Sequence, residues 1–168
     1  MSKNAVRDRL RADGREDRWT EMQGTVYGAR MAEAAAFPGV EQFFAGCRRA
    51  GLPVFIVSHK TRKPYRGEPH DLHRAARNWL ELQGFLAADR IGLSADAIFF
   101  EETLEGKLAR VGELGCTHFI DDLPELLGHA AFPANVERIL FDPNGAHGGE
   151  TRYMPARSWA ELSGRLLR

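Results

Sequence analysis

The chain has 168 residues, enough for one domain with a sizeable core and short for two. Its 23 basic and 23 acidic side chains cancel to a formal net charge of +0, and 43% of its residues are hydrophobic. No general field therefore draws it to nucleic acid or to an anionic membrane surface, and any preference for anions has to be local.

The opening run "MSKNAVRDRLRADGRED" is charged throughout and lacks the apolar stretch of a signal peptide. No later segment approaches the roughly 18 apolar residues of a membrane span, so the expected address is the cytoplasm. Residues 1–18 read as an exposed helix or a disordered arm, and they cannot supply a buried strand. From Trp19 to Ala36 the spacing of Met22, Val26, Ala29 and Ala32 predicts one or two helices, weakened by Gly24 and Gly28. This segment reads as packing against the core, or as the remnant of a small cap.

"FPGVEQFFAGCRRAG" predicts an amphipathic helix with Val40, Phe43, Phe44 and Cys47 inward and Gly51 as its stop. "PVFIVS" follows as a short strand without alternation, expected to be buried on both faces as strands of parallel sheets are. The basic loop "HKTRKPYRG" leads to a helix over "HDLHRAARNWLELQGF", with Asp71 as its cap and Leu72, Ala76, Trp79 and Leu80 inward. Then come the strand "AIFF", the helix "TLEGKLARVGELG", the strand "THFID", the short helix "LPELLGHA" and the strand "RILFD". "FDPNGAHGGE" reads as a flexible loop, and the tail "SWAELSGRLLR" as a helix capped by Ser158. Strands alternating with helices predict right-handed crossovers and a parallel α/β sheet covered on both faces. Cys47 and Cys116 form no CxxC pattern, lie in apolar segments and read as structural.

In open parallel sheets ligands gather beyond the carboxyl ends of the strands. Those ends carry Ser58, then Glu101 and Glu102, then Asp121 and Asp122, then Asp142, with Lys107 close by on the following helix. A hydroxyl donates to a phosphoryl oxygen, an ammonium neutralises it, and paired carboxylates suit Mg²⁺. The set is a candidate phosphate-and-magnesium site.

The series "VFIVSHKT", Lys107 in "EETLEGKLARV" and "THFIDDLPE" resembles motifs II, III and IV of the haloacid dehalogenase-like (HAD) phosphohydrolase superfamily, over roughly residues 37–142. It is also similar to a subgroup in which "SHKT", a "YDLH"-like segment and "FIDDLPE" recur; the counterpart here is "PHDLH". The resemblance implies a three-layer, Rossmann-like core, Mg²⁺ dependence, and hydrolysis of phosphate esters through an aspartyl-phosphate. It places Ser58 on the phosphate, followed by His59 and Lys60, makes Lys107 the catalytic cation beside Ser58, and makes Asp121 and Asp122 the metal acids, with Glu125 a weaker candidate. One HAD-like domain over residues 1–168 follows, with its core at 37–168.

The chain departs from that pattern in one respect. The superfamily opens on a buried strand ending in DxDx(T/V), whose first aspartate is the nucleophile and whose second is the general acid/base. Here the early aspartates are Asp8, Asp13 and Asp17, and no apolar strand precedes any of them. Ser58 and His59 do not replace that nucleophile, because adjacent strand residues point to opposite faces.

Two readings follow: a pseudoenzyme that holds a small phosphorylated ligand or a protein partner, with weak Mg²⁺ affinity, or an active phosphomonoester hydrolase whose first motif comes from upstream of Met1 or from another chain. A missing central strand leaves neighbours with unpaired backbone groups, which a substitute strand, a rearranged sheet or a homo-oligomer would satisfy. An unrelated flavodoxin-like domain ranks last. His70 and His73 read as capping and surface residues, and Lys60, Arg62, Lys63 and Arg66 equally as an anion selector or a solvated loop.

Overall fold

The computed structural model describes residues 3–167, so the first two residues of the expected arm and Arg168 of the expected tail helix lie outside it. In chain order the elements are α1 Lys3–Ala12, α2 Glu16–Tyr27, a 3₁₀ turn Met31–Glu33, α3 Val40–Arg49, β1 Ile56–His59, α4 Leu72–Leu82, a 3₁₀ turn Ala95–Ala97, β2 Ile98–Glu101, α5 Leu104–Glu113, β3 His118–Asp121, α6 Pro124–Leu127, β4 Glu137–Phe141, β5 Met154–Ala156 and α7 Trp159–Leu166. Among the described residues no helix is long and apolar enough to cross a membrane. The chain divides into two compact units, one made of the segment up to Ala35 with Lys60–Gly84, the other of Ala36–His59 with Phe85 onward.

The first unit is helical. Gly24 of α2 and Gly28 just after it, which weaken a helix in isolation, serve here for close approach: a Cβ at Gly24 would stand 2.9 Å from Cβ of Pro64, and one at Gly28 would stand 2.7 Å from Cβ of His70. The basic loop therefore lies directly on α2. Asp71 caps α4 by accepting from the Arg74 amide at 2.9 Å. Leu72, Ala76 and Leu80 are buried as the spacing predicts, and Trp79 donates from Nε1 to the Ala34 carbonyl at 2.7 Å.

The second unit carries all five described strands. Helix α3 buries Val40, Phe43, Phe44 and Cys47 and packs on α7, whose Trp159 ring lies 5.1 Å from Phe43 and 5.4 Å from Phe141. Thr103 and Ser158 cap α5 and α7. The pairings are parallel throughout, β1 with β2 in the register Ile56↔Ile98, β3 with β4 in the register His118↔Glu137, and β4 with β5 in the register Ile139↔Met154. The α/β class holds. Strand β5 escaped the sequence reading because "MPA" is three residues with a central Pro, which cannot donate to a ladder and is tolerated at an edge.

A second difference concerns the sheet itself. Instead of one sheet, the described strands form two, β1-β2 and β3-β4-β5. Strand β1, expected to be buried on both faces, is half-buried over Ile56–Ser58 and exposed at His59. The physical reason is that β1 pairs along one edge alone, with β2, and β3 along one edge alone, with β4.

Side-chain contacts join β1 to the cluster over the second sheet. Val57 of β1 packs on the cluster formed by Leu108 and Val111 of α5, Phe119 of β3, Leu140 of β4 and Leu126 and Leu127 of α6. No β2 residue joins that cluster. Lys107, in the first turn after the end of β2, reaches Asp121 at the end of β3. The start of α5 and the end of β3 are therefore in contact.

Candidate functional site

The centre of the site is an ion pair. Lys107 Nζ donates to Asp121 Oδ2 at 2.6 Å, with side-chain exposures of 8% and 11%. The same ammonium sits 5.2 Å from the centroid of the Phe119 ring, two residues before Asp121 and so on the same face of β3. The other carboxylate oxygen, Oδ1, accepts from the Leu123 amide at 3.0 Å. Sequence explains each part: the Thr103 cap starts α5 one turn before Lys107, and the Pro124 start of α6 turns the backbone over Asp121.

The remaining predicted residues are less tightly gathered. Ser58 stands at the carboxyl end of β1, half-buried, opposite Phe100 of β2. Because Val57 faces the α5 cluster, the pleat turns Ser58 to the opposite face of the strand. His59 is exposed and opposite Glu101. Asp122 and Glu125 are exposed. Lys60 belongs to the first unit, where its ammonium lies 4.7 Å above the Tyr27 ring and its carbonyl is 2.7 Å from His73 Nε2. His73 is thus engaged with backbone, and Glu68 pairs with His70 at 3.5 Å.

The other acids at the strand ends have structural partners. Arg110 holds Glu101 at 2.9 Å and lies 5.0 Å from the Phe99 ring. Asp142 is buried and accepts from the amides of Ala146 and His147, both at 2.8 Å, folding the glycine-rich loop back on itself. Spacing alone does not separate these from Asp121; the nearby Arg110 and the Asn-Gly turn are the signals that would have done so. Burial raises the thiols of Cys47 and Cys116 above their ordinary values, which suits the structural reading.

Comparison with family models, with curated proteins and with solved structures found no match for this chain. The site is therefore read from its own chemistry. What it offers is one ammonium and two consecutive carboxylates at one edge, with Asp121 already sharing both oxygens. A hard cation fits the donor type, since both acids are oxygen donors. At Asp121 it would compete with the ammonium 2.6 Å away.

In the loop before β5, Glu150 accepts from the Arg152 amide at 2.8 Å and pairs with its guanidinium at 2.5 Å. These bonds, the side-chain one first, pull the Glu150 carboxyl from 4.5 down to about 2. Its stabilising contribution is present above pH 4.5 and is lost as pH falls through about 2. Carboxyl NMR titration is expected to find that low midpoint, and Arg152→Ala to return it toward 4.5.

Proposed function

We propose that the chain is a HAD-like domain that binds a phosphate-bearing ligand at the carboxyl edge of β1 and β3, with Mg²⁺ as a weak companion, and does not itself hydrolyse it. The observation that carries this reading is the Lys107–Asp121 pair at 2.6 Å. It joins the residues that the resemblance assigns to motifs III and IV, on the edge that also carries Ser58 of motif II. Lys107 supplies charge, Ser58 a hydroxyl or backbone amide, and Asp122, exposed, a second carboxylate for the cation. No residue in this set is placed as a carboxylate nucleophile, and Asp121 is neutralised by Lys107.

The test joins binding and turnover. Titration of the purified chain with inorganic phosphate and Mg²⁺, followed by calorimetry, is expected to show weak saturable heat. Asp122→Asn, at an exposed position, is expected to lower Mg²⁺ affinity about tenfold without unfolding the chain. An aryl phosphate with Mg²⁺ is expected to remain intact. Absence of phosphate binding overturns the reading. Turnover that Asp122→Asn abolishes would instead support an active phosphomonoester hydrolase, the second reading. The open edges of β1 and β3 favour that second reading only if a strand bearing the nucleophile is supplied to them.

A further inference from the structure

The charges of this chain cancel overall but not locally. Residues 60–77 hold six cations, Lys60, Arg62, Lys63, Arg66, Arg74 and Arg77, against two acids, Glu68 and Asp71. The rest of the chain carries an equal surplus of acid, since the total is +0. Net charge averages over the whole molecule, so the expectation drawn from it against nucleic acid does not reach a patch of this kind. The whole stretch belongs to the first unit, and its cations are gathered in space as well as in sequence. After the Arg74 amide that caps α4, the Arg62 and Arg74 guanidiniums and His73 hold the Asp71 carboxyl below its ordinary value. Arg77 stands three residues beyond Arg74 and so on the same face of α4, and Arg62, Lys63, Arg74 and Arg77 are all exposed.

Among these charges stands one aromatic ring turned to solvent. Tyr65 is 81% exposed, yet the chain on either side of it is fixed to α2. A Cβ at Gly24 would stand 2.9 Å from Cβ of Pro64 and 3.1 Å from the Arg66 carbonyl oxygen. The Arg66 guanidinium pairs with Asp17 of α2 at 3.1 Å. Thr61 Oγ1 donates to the Lys63 carbonyl at 2.8 Å, and the Leu72 amide donates to the Arg62 carbonyl at 2.9 Å. The backbone is thus braced on α2 and α4 while the tyrosine is presented outward, so a partner that stacks on the ring has little loop motion to arrest.

We infer that the loop 60–67 and the exposed face of α4 form a docking surface for a short single strand of nucleic acid. Tyr65 stacks on one base, and Arg62, Lys63, Arg74 and Arg77 hold the flanking phosphates. Single-strand recognition asks for cations that follow the backbone beside an aromatic face that takes a base, and this surface has both. A duplex keeps its base faces inside the stack and gives Tyr65 nothing to cover. An acidic peptide supplies charge, but protein partners seat their energy on a buried apolar centre. Among the described residues 60–77, Tyr65 is the one exposed large hydrophobic side chain. The inference stands apart from the reading proposed above, whose Ser58, Lys107, Asp121 and Asp122 all lie outside this stretch.

Fluorescence anisotropy of dye-labelled oligothymidylate and oligouridylate, each about twelve nucleotides long, titrated with the full chain at low salt tests it. Saturable binding of either supports the inference, and the tighter of the two names the sugar. The logarithm of the binding constant is expected to fall against the logarithm of salt with a slope of about −2 to −3, the value for three or four phosphates held on a single strand. Lys63→Ala is expected to reduce that slope by about 0.7. Tyr65→Ala is expected to weaken binding about fivefold or more, and Tyr65→Phe, which keeps the ring, to stay within about twofold of the unaltered chain. Both substitutions fall at a position 81% exposed and leave the fold intact. Failure of both oligonucleotides to bind, or Tyr65→Ala binding as tightly as the unaltered chain, overturns the surface. So does equal affinity for a duplex of the same length, or for an oligoglutamate of matched charge, which would make an acidic peptide the partner.

Discussion

Replacing Lys107 with Met is expected to lower unfolding stability by about 3–5 kcal/mol, read as a fall in the urea midpoint at unchanged slope. The size comes from what is left behind. Asp121 is 11% exposed and, without the ammonium 2.6 Å away, keeps a charge in a site with one remaining donor, the Leu123 amide. Asp121→Asn leaves the mirror problem, an ammonium that is 8% exposed beside the Phe119 ring and a neutral amide. The double variant Lys107→Met/Asp121→Asn is expected to lose less than the sum of the two, because neither charge remains to be stranded. A double-mutant cycle in which the losses simply add would show that the pair is not the buried, coupled unit described above. Phosphate titration of the double variant, if it folds, reports on binding separately from stability.

Leu127→Ala carries the second large effect, about 2–5 kcal/mol in the same urea measurement. Leu127 is 0% exposed and sits in the cluster shared by α5, α6, β3 and β4, so the lost methyl groups leave a cavity walled by Leu108, Val111, Phe119 and Leu140. Leu52→Ala, at a position 46% exposed, is the comparison and is expected to change stability by less than about 0.5 kcal/mol. The ratio matters because α6 is one turn long and has no cooperativity of its own. Its place under Asp121 is held by Leu126 and Leu127, so the cavity also loosens the backbone that donates to Oδ1.

The parts of the fold legible in the sequence are those with a local physical signature. Helices α3, α4 and α7 follow from apolar spacing and from Asp71 and Ser158 at the starts of the last two, whereas the Thr103 cap of α5 is seen only in the structure. Strands β2, β3 and β4 follow from short apolar runs between turn residues. What local pattern does not hold is which strand edge meets which. "PVFIVS" has the composition of a strand buried on both faces, yet Ile56–Ser58 are half-buried and His59 is exposed, with β2 as the paired neighbour. In the same way, spacing put Ser58 and Lys107 near one edge but not on one face. That distinction rests on Val57 facing α5, a tertiary fact. Among the acids, Asp121 is distinguished from Glu101 and Asp142 only by which partner reaches it: Lys107, Arg110 or the backbone amides of the loop.

The connection from β4 to β5 has a consequence for how this chain tolerates change. Parallel neighbours need the chain to travel back along the sheet, and a crossover takes a dozen or more residues. Here the stretch 142–153 makes that return without a helix, pinned at its start by Asp142 and turned at Gly145, whose φ is 66°. Such a link is at its shortest workable length. Insertions near Gly148 and Gly149 add only a small closure entropy, whereas deletions there take away reach that nothing else in the link can restore. Length variation at this corner is therefore one-sided: the loop can grow, and cannot shrink without releasing β5 from the sheet.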